Sequence, residues 1–284
     1  MKFGILFLVA ITIAACSKVE LTSQLATNSI TIDGSSGDWE NNLVLLEEQN
    51  ITIGIANDAE NLYFCAASAD DVLRRQIIFR GLNLWIDGDG GKSEDYGIKY
   101  PVGMITMDPE SRRELFQGMR KPQQNVPPDF GPLLDRMTME FIVMGTNVGA
   151  KSYGFETDAF VRVRELVADN PRGIELQFRL QDSQLVYEGK IPFSEISRNR
   201  ANLSSTIGLG IEIPEIDLPR PGAGMRGGRP GGMGPPPGGR PGGGPGGMRP
   251  PRGGGINRDF QNVPEPLKFW SKVTLAQPQD ENKE

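Results

Sequence analysis

The sequence predicts an all-β protein: an antiparallel β-sandwich with a short helical insertion and a disordered Gly/Pro/Arg-rich loop before its last strand. Three observations predict it. Leu62 to Pro101 holds two runs of aromatic and branched residues flanking a turn-rich acidic loop, Gly88 to Asp95. Runs bounded in this way by Gly, Asp and Ser read as strands. Gly173–Leu180 and Leu185–Pro192 form a second such pair around Gln181-Asp182-Ser183. Ile207–Ile213 and Pro266–Leu275 add two more segments of strand composition.

The first element is a leader. Lys2 gives a positive start to Met1–Ala15, and Gly4 to Ala14 is an apolar run of 11 residues. A membrane-spanning helix needs about 20 residues, so the run fits a secretory signal. It ends Ile13-Ala14-Ala15-Cys16, which resembles the lipobox of bacterial lipoproteins, with Cys16 as the lipidated first residue of the mature chain. The resemblance implies a protein tethered to a membrane by acyl chains, not spanning it. Ser17 follows the cysteine where an Asp would direct retention in the inner membrane, so the resemblance implies the outer membrane of the cell envelope. Residues 16–28 are polar and read as a tether.

Composition removes several function classes. The formal net charge of −6 gives no cue for nucleic acid. There is no histidine. That excludes Ser-His-Asp and Cys-His catalysis, His metal ligands and the usual proton shuttle. An enzyme would need paired carboxylates or a metal held by oxygen, and no spacing singles out such a pair. The expectation is a protein that is not an enzyme, with a metal-dependent hydrolase as a minor reading. Cys65 lies mid-strand and reads as a small buried hydrophobe. No disulfide framework is present.

The sandwich is expected over 29–219 and 256–276. Ser29–Gly34 reads as a strand entering a turn. Asp33 to Trp39 reads as a tight loop closed by a Trp. Ile51–Ala56 alternates as a strand. In the next run Leu62, Phe64 and Ala66 share one face. Asp71–Phe79 reads as a short helical turn. Leu82–Asp87 pairs with Tyr96–Tyr100, with Leu82, Leu84 and Ile86 on one face and Asn83, Trp85 and Asp87 on the other. Asp108-Pro109-Glu110 starts a helix: Asp as N-cap, Pro in the first position, Glu in the first turn. That helix is expected to reach Arg120, followed by a Pro-rich loop to Gly131. Met137–Gly145 and Ala159–Val167 read as strands. In the second, Ala159, Val161 and Val163 point inward and Arg162 and Arg164 face water. The 105–155 insertion is expected to cover one end or face of the sandwich.

Residues 220–255 are of another kind. Residues 221–255 contain 17 Gly and 9 Pro, with no aromatic, no branched aliphatic and no acid. Such a stretch cannot bury enough apolar surface to offset backbone ordering of about 1–2 kcal/mol per residue, so disorder is expected. Gly222 to Gly227 matches the dinucleotide GxGxxG pattern by chance, since no strand precedes it and no helix follows. Strand composition returns at Pro266–Leu275, so the stretch is a loop, and residues 277–284 form a polar tail.

The order of several short motifs resembles a known group. These are Ile32-Asp33-Gly34 with Trp39, a turn before Leu62-Tyr63, a strand ending near Asp70, and Tyr187-Glu188-Gly189-Lys190-Ile191-Pro192-Phe193. They resemble carbohydrate-binding module family 9 and related DOMON-like sandwiches. The resemblance implies an antiparallel sandwich and non-catalytic sugar binding, often with a structural Ca²⁺. Some DOMON-like relatives hold haem through Met or Lys, which makes haem binding a further minor reading.

Two site expectations follow. Asn83, Trp85 and Asp87 place an indole between two polar groups. Trp85 is either a platform for a sugar's C–H face or a residue buried beneath the insertion. Trp270, in the last strand, stays open. Asp87, Asp89, Glu94 and Asp95 concentrate carboxylates in one glycine-bearing loop, a candidate for Ca²⁺, which takes about 6–8 oxygens. The twelfth position from Asp87 is Ile98, so the loop is not an EF-hand, and a solvated acidic turn is the alternative. The expected partners are a membrane through the lipid, and polysaccharide or other envelope proteins. The alternative function is an envelope structural or adaptor protein without sugar affinity. Loop closure costs only about 0.6 kcal/mol per doubling of length. Deleting residues 221–254 is therefore expected to leave Tm almost unchanged, and a fall of several degrees in thermal unfolding would contradict this.

Overall fold

The computed structural model describes residues 20–27, 29–113, 131–146, 160–181, 184–196, 204–215 and 266–277. Cys16, the 220–255 stretch, the 114–130 and 147–155 parts of the insertion and the tail beyond 277 lie outside them. The chain divides into Met1–Pro214 with Pro266–Glu284, and Glu215–Glu265; the elements below belong to the first unit.

Two sheets stack face to face. The first runs β1 (Leu21–Thr22), β13 (Lys268–Thr274), β12 (Thr206–Glu212), β6 (Asn83–Asp87), β7 (Tyr96–Lys99), β8 (Glu140–Gly145) and β9 (Val161–Leu166). The second runs β10 (Glu175–Gln181), β11 (Gln184–Pro192), β5 (Asn61–Ser68), β4 (Ile51–Asn57) and β2 (Gln24–Leu25), with β3 (Leu43–Leu46) also on β4. β1 and β2 pair in parallel and the long ladders are antiparallel. This is the all-β sandwich the sequence predicts, with both expected hairpins in place.

Alternation builds the core. Leu84, Ile86, Ile98, Phe141, Val143, Leu209 and Ile211 from the first sheet belong to one apolar cluster with Ile53, Ile55, Leu62, Phe64, Leu176, Tyr187 and Ile191 from the second. Each such side chain contributes about 1.5–3 kcal/mol on burial. Tyr187 joins the layers, with Phe64 edge-on at 5.5 Å and Tyr100 at 5.6 Å. Glu165 and Glu195 clamp the buried Arg172 guanidinium at 2.7 and 2.8 Å.

Local departures from expectation have local causes. The Asp71–Phe79 turn is a full helix, Asp71–Arg80. Asp70 caps it, its Oδ1 accepting from the Val72 and Leu73 amides, and Leu73 and Ile77 bury at i,i+4 spacing. The expected strand from Met137 begins at Glu140, because Gly131–Thr138 is helical. There Leu133 and Met137, again four apart, bury with Met104 and Met107. Asp108 caps a helix as expected, accepting from the Glu110 and Ser111 amides, and residues 109–113 are helical. The 16–28 segment is not a free tether throughout, since β1 and β2 bind it to both sheets. Ser23 and Asn57 hydrogen-bond to each other, and both accept from the Ala276 amide, at 2.8 and 2.9 Å. The beginning and end of the domain are thereby tied together.

The largest departure concerns Ser29–Gly34, which is not a strand. Its alternation has another source. Ile30 and Ile32 pack with Trp39, Ala56, Tyr63, Cys65, Ala67 and Val186 on the outer face of the second sheet. The backbone amides that a ladder would have used go elsewhere. Glu188, fully buried on β11, accepts at Oε2 from the Asp33, Gly34 and Ser35 amides at 3.0, 2.6 and 3.2 Å. Its Oε1 accepts from the Trp39 indole at 2.7 Å. Burial holds the Glu188 carboxyl above the usual range, with the indole and amide bonds pulling the other way. One carboxylate thus satisfies four donors. Leaving a buried donor unpaired costs about 1–3 kcal/mol. Glu188→Ala is expected to destabilise the fold by about 3 kcal/mol or more in urea unfolding, whereas a change below about 1 kcal/mol would show that the loop re-pairs elsewhere.

Candidate functional site

The outer face of the first sheet carries the expected site residues. Strand register sets it out in rows. One row crosses Trp270, Gly210, Trp85, Gly97, Met144 and Arg162; the next crosses Lys268, Glu212, Asn83, Lys99, Ile142 and Arg164. Both indoles rest on glycines. A Cβ at Gly97 would stand 2.3 Å from the Trp85 ring, and one at Gly210 would stand 2.6 Å from the Trp270 ring. The backbone approach requires that these two positions carry no side chain.

Of the two readings of Trp85, exposed platform or buried residue, the structure gives the buried one. Its indole is only 4% exposed, in a cluster with Val102, Ile142, Met144 and Trp270. Phe160 tilts against it at 6.4 Å. The reason is the glycine beneath it, which lets the ring sink into the sheet while apolar neighbours close around it. Its Nε1–H donates to Glu212 Oε2 at 2.8 Å, and Asn83 Nδ2 donates to the same oxygen at 3.2 Å. Lys268 reaches Glu212 Oε1 at 3.3 Å. Burial opposes ionisation of Glu212, but the Trp85, Asn83 and Lys268 bonds outweigh it and hold the carboxyl below the usual range. Trp270 keeps intermediate exposure and is the accessible indole of the pair.

Asp87 is also buried, with its oxygens engaged by its own loop. Oδ1 accepts from the Asp89 amide at 2.9 Å and Oδ2 from the Ser93 amide at 2.8 Å. Such Asx-type bonds are what a turn asks of an Asp. Glu94 turns away to Lys268 at 3.1 Å, and Asp95 takes the Ser93 hydroxyl. Asp87, Asp89, Glu94 and Asp95 therefore do not converge: among the described residues no three acidic or Cys side chains form a group able to hold a metal ion. Cys65 is buried, and burial pushes its thiol up, away from reactivity.

Two residues of the face were missed from sequence. Glu212 sat in what read as an apolar strand, yet alternation from Ile207 and Leu209 puts it outward. Lys99 shares the outward face with Gly97 and stands directly across from Asn83. It is 8% exposed, and no hydrogen bond or ion pair reaches its ammonium among the described residues. Its stem lies close to Gly81, where an added Cβ would stand 2.7 Å from Cε. Asn83 is 6% exposed, and its buried Oδ1 accepts no hydrogen bond. Around this dry floor the rim is wet: Phe160, Arg162, Arg164 and Lys268 are exposed.

No family model and no curated protein matches the chain. Among solved structures the chain is similar to a carbohydrate-binding module family 9 protein from Caldicellulosiruptor kristjanssonii in complex with glucose. The identity is 13% and the TM-score 0.30, over 70% of this chain and 78% of that one. It is likewise similar to a family 9 module from the same organism in complex with cellotriose, at 12% identity and TM-score 0.32, over 68% and 74%.

Burial, followed by the Arg162 and Arg164 charges, lowers the Lys99 ammonium from 10.5 to about 8, with Glu212 pulling the other way. A depressed lysine costs stability while it is charged. Between about 8 and 10.5 the unfolded chain binds the extra proton, so stability rises with pH across that window. Lys99→Met is expected to raise Tm at pH 7, and the gain should fade as pH climbs through the window. A variant less stable than the parent at pH 7 would contradict this.

Proposed function

We propose that this protein is a non-catalytic saccharide-binding module, carried on the bacterial cell envelope by lipid at Cys16, with the outer face of the first sheet as its binding face. The observation that carries this reading is the buried, unpaired Oδ1 of Asn83 beside the largely buried Lys99, whose ammonium has no hydrogen-bond partner among the described residues, in a row with Glu212 and next to two indoles. An unpaired buried polar atom costs about 1–3 kcal/mol. A ligand that supplies the missing bonds recovers that cost on binding. A sugar ring has the right composition: hydroxyls that both donate and accept, and C–H faces for an indole. In this arrangement Trp270 stacks, Trp85 forms the apolar floor, and Asn83, Lys99 and Glu212 meet hydroxyls. The lipobox resemblance at Ile13–Cys16 supports the anchor, and among the described residues no helix is long and apolar enough to cross a membrane.

The adaptor reading has an observation of its own. β3 turns Val44 and Leu45 to solvent, 45% and 59% exposed, beside no described strand but β4. The two readings separate on a glycan array followed by calorimetry with the mature chain. Saccharide binding should weaken at least tenfold in Trp270→Ala and in Asn83→Ala, with Tm retained. Binding indifferent to both substitutions would reject this face, and no binding to any glycan would favour the adaptor.

A further inference from the structure

The charges on the proposed face are unevenly matched. On the β12–β13 side each acid has a base: Lys268 lies between Glu94 and Glu212 at 3.1 and 3.3 Å. At the β9 edge Arg164 is held by Glu140 and by the Thr106 carbonyl. The two remaining cations of the face are Lys99, on β7, and Arg162, on β9 beside Arg164. Lys99 has no acceptor among the described residues. The guanidinium of Arg162 sits over the Phe160 ring at 5.2 Å, with no carboxylate on it among the described residues. Both project from the same face, Lys99 on β7 and Arg162 on β9, with Ile142 and Met144 of β8 between them. Two cations with no acid hydrogen-bonded to them among the described residues thus flank an apolar strip; Lys99 is largely buried and feels only the more distant charge of Glu212, in the same row across Asn83.

We infer that the saccharide this face takes is anionic, with an acidic substituent seated over β8 between Lys99 and Arg162. This rests on the saccharide-binding reading above and narrows its ligand class. The argument is one of charge. A neutral hydroxyl can satisfy one lysine proton but leaves the ammonium charge desolvated. A carboxylate or sulfate neutralises it, and charge-assisted bonds are roughly twice as strong as neutral ones. A compact ammonium suits a single anionic oxygen, and the guanidinium fork suits two. The low-dielectric wall of Ile142, Met144 and Val102 strengthens both attractions relative to water. Asn83, next to Lys99, would address a ring hydroxyl of the same residue, and Trp270 the ring beyond it.

The test uses matched pairs that differ only in charge, with short ligands that cannot also engage the six arginines of 220–255. Trigalacturonate is compared with its methyl ester by calorimetry of the mature chain at physiological salt. A sulfated and an unsulfated trisaccharide form a second pair, separating carboxylate from sulfate as the anion. The expected result is at least tenfold tighter binding of the acidic member in one pair. That preference should collapse in Lys99→Met and in Arg162→Gln, both checked for unchanged Tm or a gain. Equal binding of charged and neutral members overturns the inference while leaving the saccharide reading intact. A preference that survives both substitutions also overturns it. Failure of every ligand, neutral and acidic, together with a negative array, overturns the saccharide reading itself.

Discussion

An indole lying on a glycine and donating its N–H to a glutamate organises both outer faces of this sandwich. On the second sheet Trp39 covers Gly54, where a Cβ would stand 2.5 Å from the ring, and bonds Glu188. On the first, Trp85 covers Gly97 and bonds Glu212. A buried tryptophan needs a partner for its N–H. A buried carboxylate needs donors or a cation. Each solves the other's problem, and the missing side chain beneath lets the ring lie close to the sheet. The two glutamates differ in what else they receive. Glu188 takes three backbone amides and fixes a loop, whereas Glu212 takes Asn83 and Lys268 and organises a face of functional side chains.

The central strands are therefore covered on both sides. β5 is buried from Leu62 to Ser68 and β6 along its whole length. Strands of this kind read as continuous apolar runs more than as strict alternation, as in sheets with layers on both faces. The cost of a polar residue in such a strand depends on what meets it. Glu188 is fully matched by donors. Lys99 has no acceptor and Asn83 Oδ1 no donor among the described residues, and together on one outer face they mark it as a candidate binding layer.

Much of this was legible in the sequence. The hairpins, the inward faces of Leu62–Phe64–Ala66 and Leu82–Leu84–Ile86 and the cap at Asp108 followed from alternation, turn chemistry and capping, and the burial of Trp39 from its place in the Ile32-Asp33-Gly34…Trp39 motif. What was not legible has one physical origin. Alternation reports which residues share a face but not whether that face is wet. Trp85 sits on the predicted side, yet that side is covered. Ile30 and Ile32 alternate like a strand because they pack onto a sheet, not because they belong to one. Met137 reads as strand in the sequence because an isolated apolar residue next to Phe141 and Val143 does not reveal its partner Leu133 four residues earlier. Lys99 gave no signal within Tyr96–Tyr100, since its lack of a counter-charge is a property of three strands together.

The knot of Ser23, Asn57 and Ala276 bears on how far the domain can travel. Leu21 already belongs to a sheet, and it follows Cys16 by five residues in the sequence. Fully stretched, five residues reach about 18 Å. With acyl chains on Cys16 as proposed, the sandwich would ride within that leash of the bilayer, sampling polymers that lie against its own surface and not those at a distance.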